Sequence, residues 1–152
     1  MRNQAFKKGA AKYYSEKKKK YTQKAQIVIN YITGKIFTVD FSGGRTHDFK
    51  LFKQSNLPLS EHTCIIADKG YQGIKKIHDN SIHPIKRRKK AALTELQKAY
   101  NRVVSRLRFV IERVNGILKR FRILSSKYRN SIENFITTFS LICGLYNFQC
   151  FT

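Results

Sequence analysis

Four consecutive apolar residues, Cys64-Ile65-Ile66-Ala67, stop abruptly at Asp68 and Gly70. A run this short, with no polar alternation, suits a strand buried on both faces, as at the centre of an α/β sheet. Its flanks set the layers. Ahead of it, Ile27-Val28-Ile29 and Ile36-Phe37-Thr38-Val39 read as two strands joined by a turn through Asn30 to Gly34. Behind it, His83-Pro84-Ile85 fits an edge strand. The remainder is helical, with one helix from about Thr94 to Leu124, a break near Ser125-Ser126, and a last buried helix from about Ser131 to Phe148. Strands first and long helices last predict a mixed α/β fold rather than a helical bundle.

Within this frame smaller features take their places. Ser42-Gly43-Gly44 ends the second strand, and Asp48 stands where it can cap a short helix carrying Phe49, Leu51 and Phe52. At about 100° per residue, Val103, Leu107, Val110, Val114, Ile117 and Phe121 share one stripe of the long helix, the expected core face. Asn101, Ser105, Arg108, Glu112 and Lys119 project from the opposite side. The apolar stretch from Ile132 to Phe151 is interrupted by Glu133, Asn134, Thr137, Thr138, Asn147 and Gln149, too many polar groups for a membrane span.

Charge narrows the function. The 152 residues hold 31 Lys+Arg against 9 Asp+Glu, a net charge of +22, while 41% apolar residues with 11 Phe and 8 Tyr can still build a core. Such an excess repels itself unless a polyanion matches it, and nucleic acid phosphate is the commonest match. The runs Lys17-Lys18-Lys19-Lys20 and Lys86-Arg87-Arg88-Lys89-Lys90 are the expected phosphate contacts, the first within a basic arm over residues 1–24. Cys64, Cys143 and Cys150 form no metal-ligand or disulfide pattern, and His62, His78 and His83 lack ligand spacing. No apolar leader follows the basic start, so the expected compartment is the cytoplasm.

Two carboxylates attract chemistry. Glu112, between Arg108 and Lys119 on one helix face, reads as a solvated ion-pair ladder or as part of a site. Asp68, directly after an apolar strand, reads as a turn former or as a ligand at the carboxyl edge of a sheet. A strand-end Asp and a helix-face Glu can share a divalent ion such as Mg²⁺ and so assist attack on a phosphodiester.

Three segments carry a resemblance. Gly44-Arg45-Thr46-His47-Asp48, Ala67-Asp68-Lys69-Gly70-Tyr71-Gln72-Gly73, and the run from Ser105 to Lys119 with Arg108, Glu112 and Lys119 occur in one order. Together they resemble the catalytic domain of bacterial insertion-sequence transposases of the DDE type, nearest the insertion-sequence-five group, over about Tyr13 to Phe148. The resemblance implies a ribonuclease-H-like fold, a mixed sheet flanked by helices, and metal-dependent DNA cleavage and strand transfer with Mg²⁺ or Mn²⁺. By it, Asp68 is the second catalytic acid and metal ligand, Glu112 the third, and Arg108 and Lys119 are the basic members of the signature, orienting Glu112 or holding phosphate. Ser105 stands where that signature has Tyr. DNA is the implied partner, and synapsis of two transposon ends implies self-association.

One departure sets an expectation of its own. In the family the first catalytic Asp sits on a first strand shortly before the segment matching Lys12 to Ser15, yet residues 1–15 contain no acid, and Asp40 and Asp48 fall too late. The sequence therefore predicts a partial catalytic domain over residues 25–152, lacking its first strand and inactive as this chain alone. The competing expectation is a basic nucleic-acid-binding protein without catalysis.

Overall fold

A computed structural model of the chain describes residues 14–15, 20–87, 91–126 and 131–151. The elements run β1 (Tyr14–Ser15), β2 (Lys20–Tyr21), β3 (Gln23–Ile29), β4 (Ile36–Gly43), α1 (Asp48–Ser55), β5 (Ile65–Ile66), β6 (Ser81–Ile82), α2 (Glu95–Leu107), α3 (Phe109–Leu118), α4 (Arg122–Ser125) and α5 (Ile132–Phe151). Two short 3-10 turns, Lys69–Tyr71 and Ile74–Lys76, lie between β5 and β6. The fold is mixed α/β, and the described strands form three two-stranded sheets, β1-β2, β3-β4 and β5-β6. The chain divides into two compact units, residues 1–46 with 113–152, and residues 47–112.

The first unit is built on the β3–β4 hairpin, antiparallel from Gln23↔Gly43 to Ile29↔Ile36 with an irregularity at Val28/Ile29. Its turn is made locally: Asn30 Oδ1 accepts from Ile32 N–H at 2.9 Å and Thr33 N–H at 3.0 Å. Gly34 closes the turn at φ 77°, a conformation that favours glycine, and a Cβ there would also lie 3.3 Å from the Tyr146 hydroxyl. Ile36, Val114, Leu118, Phe139, Ile142, Cys143 and Tyr146 form the core, flanked by Ile27, Val39 and Phe41. Phe41 meets Phe139 edge-on at 5.5 Å between ring centres. Burial pushes the free Cys143 thiol up to about 11, so it stays protonated and inert.

Helix α5 supplies most of this core but is buried on one side only; Leu141, Leu145 and Phe148 are exposed. The buried helix expected here is thus buried along one face. No helix of the described residues is long and apolar enough to cross a membrane.

The second unit holds α1, the two 3-10 turns, the β5–β6 pair and α2. Here β5 pairs in parallel with β6, Ile65↔Ser81 and Ile66↔Ile82, extended by the Ala67 N–H to Ile82 carbonyl bond at 2.8 Å. The apolar run is therefore a short strand with one described partner and half-buried isoleucines, rather than a strand buried on both faces. Its partner is Ser81–Ile82, and the expected edge strand His83-Pro84-Ile85 follows it as irregular chain. Leu51, Ala67, Ile74, Pro84 and Val104 are buried in this unit.

Thr94 starts α2 with a full capping box: its hydroxyl accepts from Gln97 N–H, and the Gln97 side chain accepts from Thr94 N–H. The single helix expected to Leu124 is instead α2 and α3, joined at Arg108, and it stops at Leu118. Arg108 has ψ −8°, flatter than a regular turn, although Arg108 N–H still reaches the Val104 carbonyl and Glu112 N–H the Arg108 carbonyl. After Leu118 the ladder tightens, Arg120 N–H bonding Ile117 and Phe121 N–H bonding Leu118 three residues back. The buried residue of α2 is Val104, 1% exposed, whereas Val103 is 55% exposed; the core stripe in this half is rotated by one residue from the expected one.

Candidate active site

Asp68 is positioned by β5. The chain leaves the strand still extended at Asp68, φ −86° and ψ 171°, and then turns into the 3-10 segment Lys69–Tyr71, with Asp68 Oδ1 accepting from Lys69 N–H. Its turn-forming role is therefore real, and it does not exclude a second one. Arg108, at the flattened junction of α2 and α3, reaches it: Nη1 lies 3.3 Å from Asp68 Oδ1, while Nη2 lies 3.4 Å from Glu112 Oε1. One guanidinium thus bridges two carboxylates brought by different elements of the same unit. The guanidinium side chain is 21% exposed, whereas Asp68 is 55% and Glu112 59% exposed. Contacts this long to half-exposed carboxylates contribute at most about 1 kcal/mol to stability, so what they mainly do is orient the acids.

Helix α1 packs behind this turn. Asp48 was the expected cap, but the cap is His47, whose Nδ1 accepts from Phe49 N–H at 3.4 Å, and Asp48 is the first helical residue. Its carboxylate turns toward the segment after Asp68 instead. Asp48 Oδ2 comes so near Gly70 that an added Cβ would stand 3.3 Å from it, so the absence of a side chain at Gly70 lets the two motifs close together. Tyr71 completes the contact. Its ring meets Phe52 edge-on at 6.0 Å, and its phenol is pushed up to about 12, first by burial and then by the negative charges of Asp48 and Asp68. Gln72 donates to the Lys69 carbonyl at 3.2 Å and the Pro84 carbonyl at 3.1 Å. Tyr71 and Gln72 thus brace the Asp68 turn, the first by ring packing and the second by hydrogen bonds.

The other expected residues divide. Lys86 and Arg87 are exposed in the segment after β6. Lys119 lies in the turn that follows α3, within the first unit, while Asp68, Arg108 and Glu112 belong to the second. Lys20 is the β2 partner of Ser15, and Lys17, Lys18, Lys19 and Arg88 lie outside the described residues. His62 and His78 serve the loop: the His62 carbonyl accepts from Asn80 at 3.0 Å, and the His78 ring bonds the Thr63 carbonyl. Sequence reasoning missed the cationic face of α2, Lys98, Arg102 and Arg106, although their spacing of four residues was readable.

Among the described residues no three His, Cys, Asp or Glu side chains stand close enough to share a metal ion. The donors that do come together are the right kind for a hard divalent cation. Both are carboxylates, and Asp68 Oδ2 and Glu112 Oε2 take no ion pair or hydrogen bond from the described residues.

The sequence motifs anticipate Asp68 and Glu112 as a pair of acids, and the fold adds the guanidinium between them. A family model described as DDE superfamily endonuclease matches residues 2–147. The chain is 48% identical over 143 residues to a protein of Microchaete diplosiphon named as a probable transposase for insertion sequence element IS702. The chain belongs to the DDE superfamily of endonucleases, as a DDE-type insertion-sequence transposase sequence. Members of that superfamily generally use divalent metal ions. The alignment covers 94% of this chain and 52% of the relative, so the chain spans about half the length of the curated relative it matches. No solved structure matches it.

Proposed function

We propose that this chain is part of an insertion-sequence transposase catalytic domain of ribonuclease-H-like layout, acting on DNA in the bacterial cytoplasm. Asp68 and Glu112 are two of its metal-holding carboxylates. The observation that carries this reading is the single Arg108 guanidinium shared by Asp68 and Glu112. A binder of nucleic acid gains nothing from gathering two negative charges on so basic a chain, whereas a phosphodiester-cutting site requires them.

A divalent ion, Mg²⁺ or Mn²⁺, bound there would supply Lewis acidity for attack of water or a DNA 3′-hydroxyl on phosphorus and for departure of the leaving oxygen. The chain's own residues do the rest. Asp68 and Glu112 offer hard oxygen ligands. Arg108 holds the two acids in register and offsets one of their charges. Lys119 and the exposed Lys86 and Arg87 hold DNA phosphate, with Lys17 to Lys20 and Arg88 adding sequence-independent attraction. Cutting in this reading also needs the third acid of the family, carried on an upstream strand, and strand transfer needs two DNA ends held by associated copies.

Metal binding by the present chain tests the assignment without requiring activity. Mn²⁺ titrated into the chain and followed by electron paramagnetic resonance should show one class of weak sites. Asp68→Asn and Glu112→Gln, which keep size and remove charge, should each lower that affinity at least about tenfold. Unchanged Mn²⁺ affinity in both variants would remove these residues from the ligand set.

A further inference from the structure

Helix α2 carries a feature that the two acids do not use. Lys98, Asn101, Arg102, Ser105 and Arg106 line one side of an open cleft of about 550 Å³, with Leu93 at its margin. Lys98, Arg102 and Arg106 recur every four residues, so they stack along one face and span about 12 Å of helix axis at 1.5 Å per residue. This face points away from Val104, the buried side of the helix. Lys98 pairs with Glu95 at 2.7 Å, both side chains exposed, whereas Arg102 and Arg106 have no carboxylate partner among the described residues.

The cleft is also tied to the neighbouring basic segment. Asn101 Oδ1 accepts from Ile85 N–H at 2.8 Å and its amide donates to the Ile85 carbonyl at 3.1 Å. The Tyr100 hydroxyl adds a bond to the His83 carbonyl at 3.3 Å. These bonds hold Ile85 against α2, so exposed Lys86 and Arg87 leave from the helix surface immediately beyond the clamp. Two cationic segments are thereby joined in one unit.

We infer that this face of α2, with Arg102 and Arg106 at its centre, is a track for the phosphate backbone of DNA. With 3.4 Å of axis per phosphate on each strand, a 12 Å row of cations covers about three to four phosphates. Ser105 and Asn101 add short polar donors between the cations, a mixture suited to backbone contacts rather than base reading. The inference rests on the reading of the chain as a DNA-acting transposase.

The test is the salt dependence of binding to a fluorescently labelled 30-base-pair duplex, measured by anisotropy in EDTA at several KCl concentrations. The chain, R102Q/R106Q, R102K/R106K, and K75Q/K76Q as a charge-matched control are compared, with circular dichroism reporting folding. Removing two phosphate contacts should make the slope of log affinity against log salt shallower by about 2, weakening binding by tens of fold at 0.1 M salt. R102K/R106K should retain the parent slope, and K75Q/K76Q should change it by less than about half a unit. An unchanged slope in a folded R102Q/R106Q, or an equal loss in the control, overturns the track while leaving the DNA reading in place. A parent chain with no salt-dependent DNA binding overturns both.

Discussion

Arg108 has a fixed positive charge and a planar fork of donors, so it can satisfy two carboxylates at once where lysine would offer a single point charge. With Nη1 on Asp68 and Nη2 on Glu112 it holds each acid's direction rather than its stability. Asp40 shows the opposite situation. It lies on β4 opposite Gln26, burial raises its carboxyl above the ordinary value, and its Oδ2 is buried with no hydrogen-bond partner among the described residues. A raised folded pKa means that the native state binds more protons than the unfolded one between the two values. Stability from this group is therefore present at low pH and lost as pH rises through the folded pKa. Asp40→Asn is expected to unfold at higher urea than the parent at pH 7, with the gap closing by about pH 3, below the ordinary aspartate value of about 3.9, where both side chains are mostly neutral. A gap of the same size at both pH values contradicts this. At this scale the reading of Asp68 and Glu112 came from flanking residues, while the capping role given to Asp48 failed. A histidine ring nitrogen one position earlier takes the Phe49 N–H, and nothing in the local pattern distinguishes the two caps.

Between elements, one side chain does work that backbone groups ordinarily do. Asn147 of α5 accepts from Ile36 N–H and donates to the Ile36 carbonyl, both at 2.9 Å, completing the end of β4 with an amide rather than a backbone. Asn147→Ala leaves both groups of a residue only 6% exposed without those partners and should cost about 2–3 kcal/mol. Urea unfolding measures it, and a loss below about 0.5 kcal/mol would show that water replaces the amide. The hairpin was legible because Asn30 and Gly34 build its turn from local chemistry. The start of α2 was legible because Thr94 and Gln97 form their box within one turn. The end of α3 was not: Lys119, Arg120 and Phe121 are compatible with helix, and the tightening after Leu118 accompanies packing of Phe121 and Leu124 against the first unit's core. Likewise nothing in Leu107-Arg108-Phe109 breaks a helix, so the flat turn that shifts burial from Val103 to Val104 reflects tertiary contacts rather than local preference.

Across the whole molecule the sequence spoke most clearly through charge and through the order of three motifs, both of which survive without knowledge of contacts. A net +22 on 152 residues predicts a polyanionic partner before any fold is known. The strand layout was less legible, because a two-residue parallel pair such as β5–β6 leaves almost no period to read. The bridge from Asp68 to Arg108 is a contact between segments far apart in sequence, and only the fold supplies it. The central claim, that these acids serve metal-dependent cutting, is tested most directly by nicking of supercoiled DNA in Mg²⁺ or Mn²⁺. The chain is joined to the family's upstream Asp-bearing strand and compared with its Asp68→Ala and Glu112→Ala variants. The parent should nick only with metal, and each variant should lose at least about 100-fold in rate while binding DNA within about twofold of the parent. Nicking by either variant at the parent rate would contradict the account.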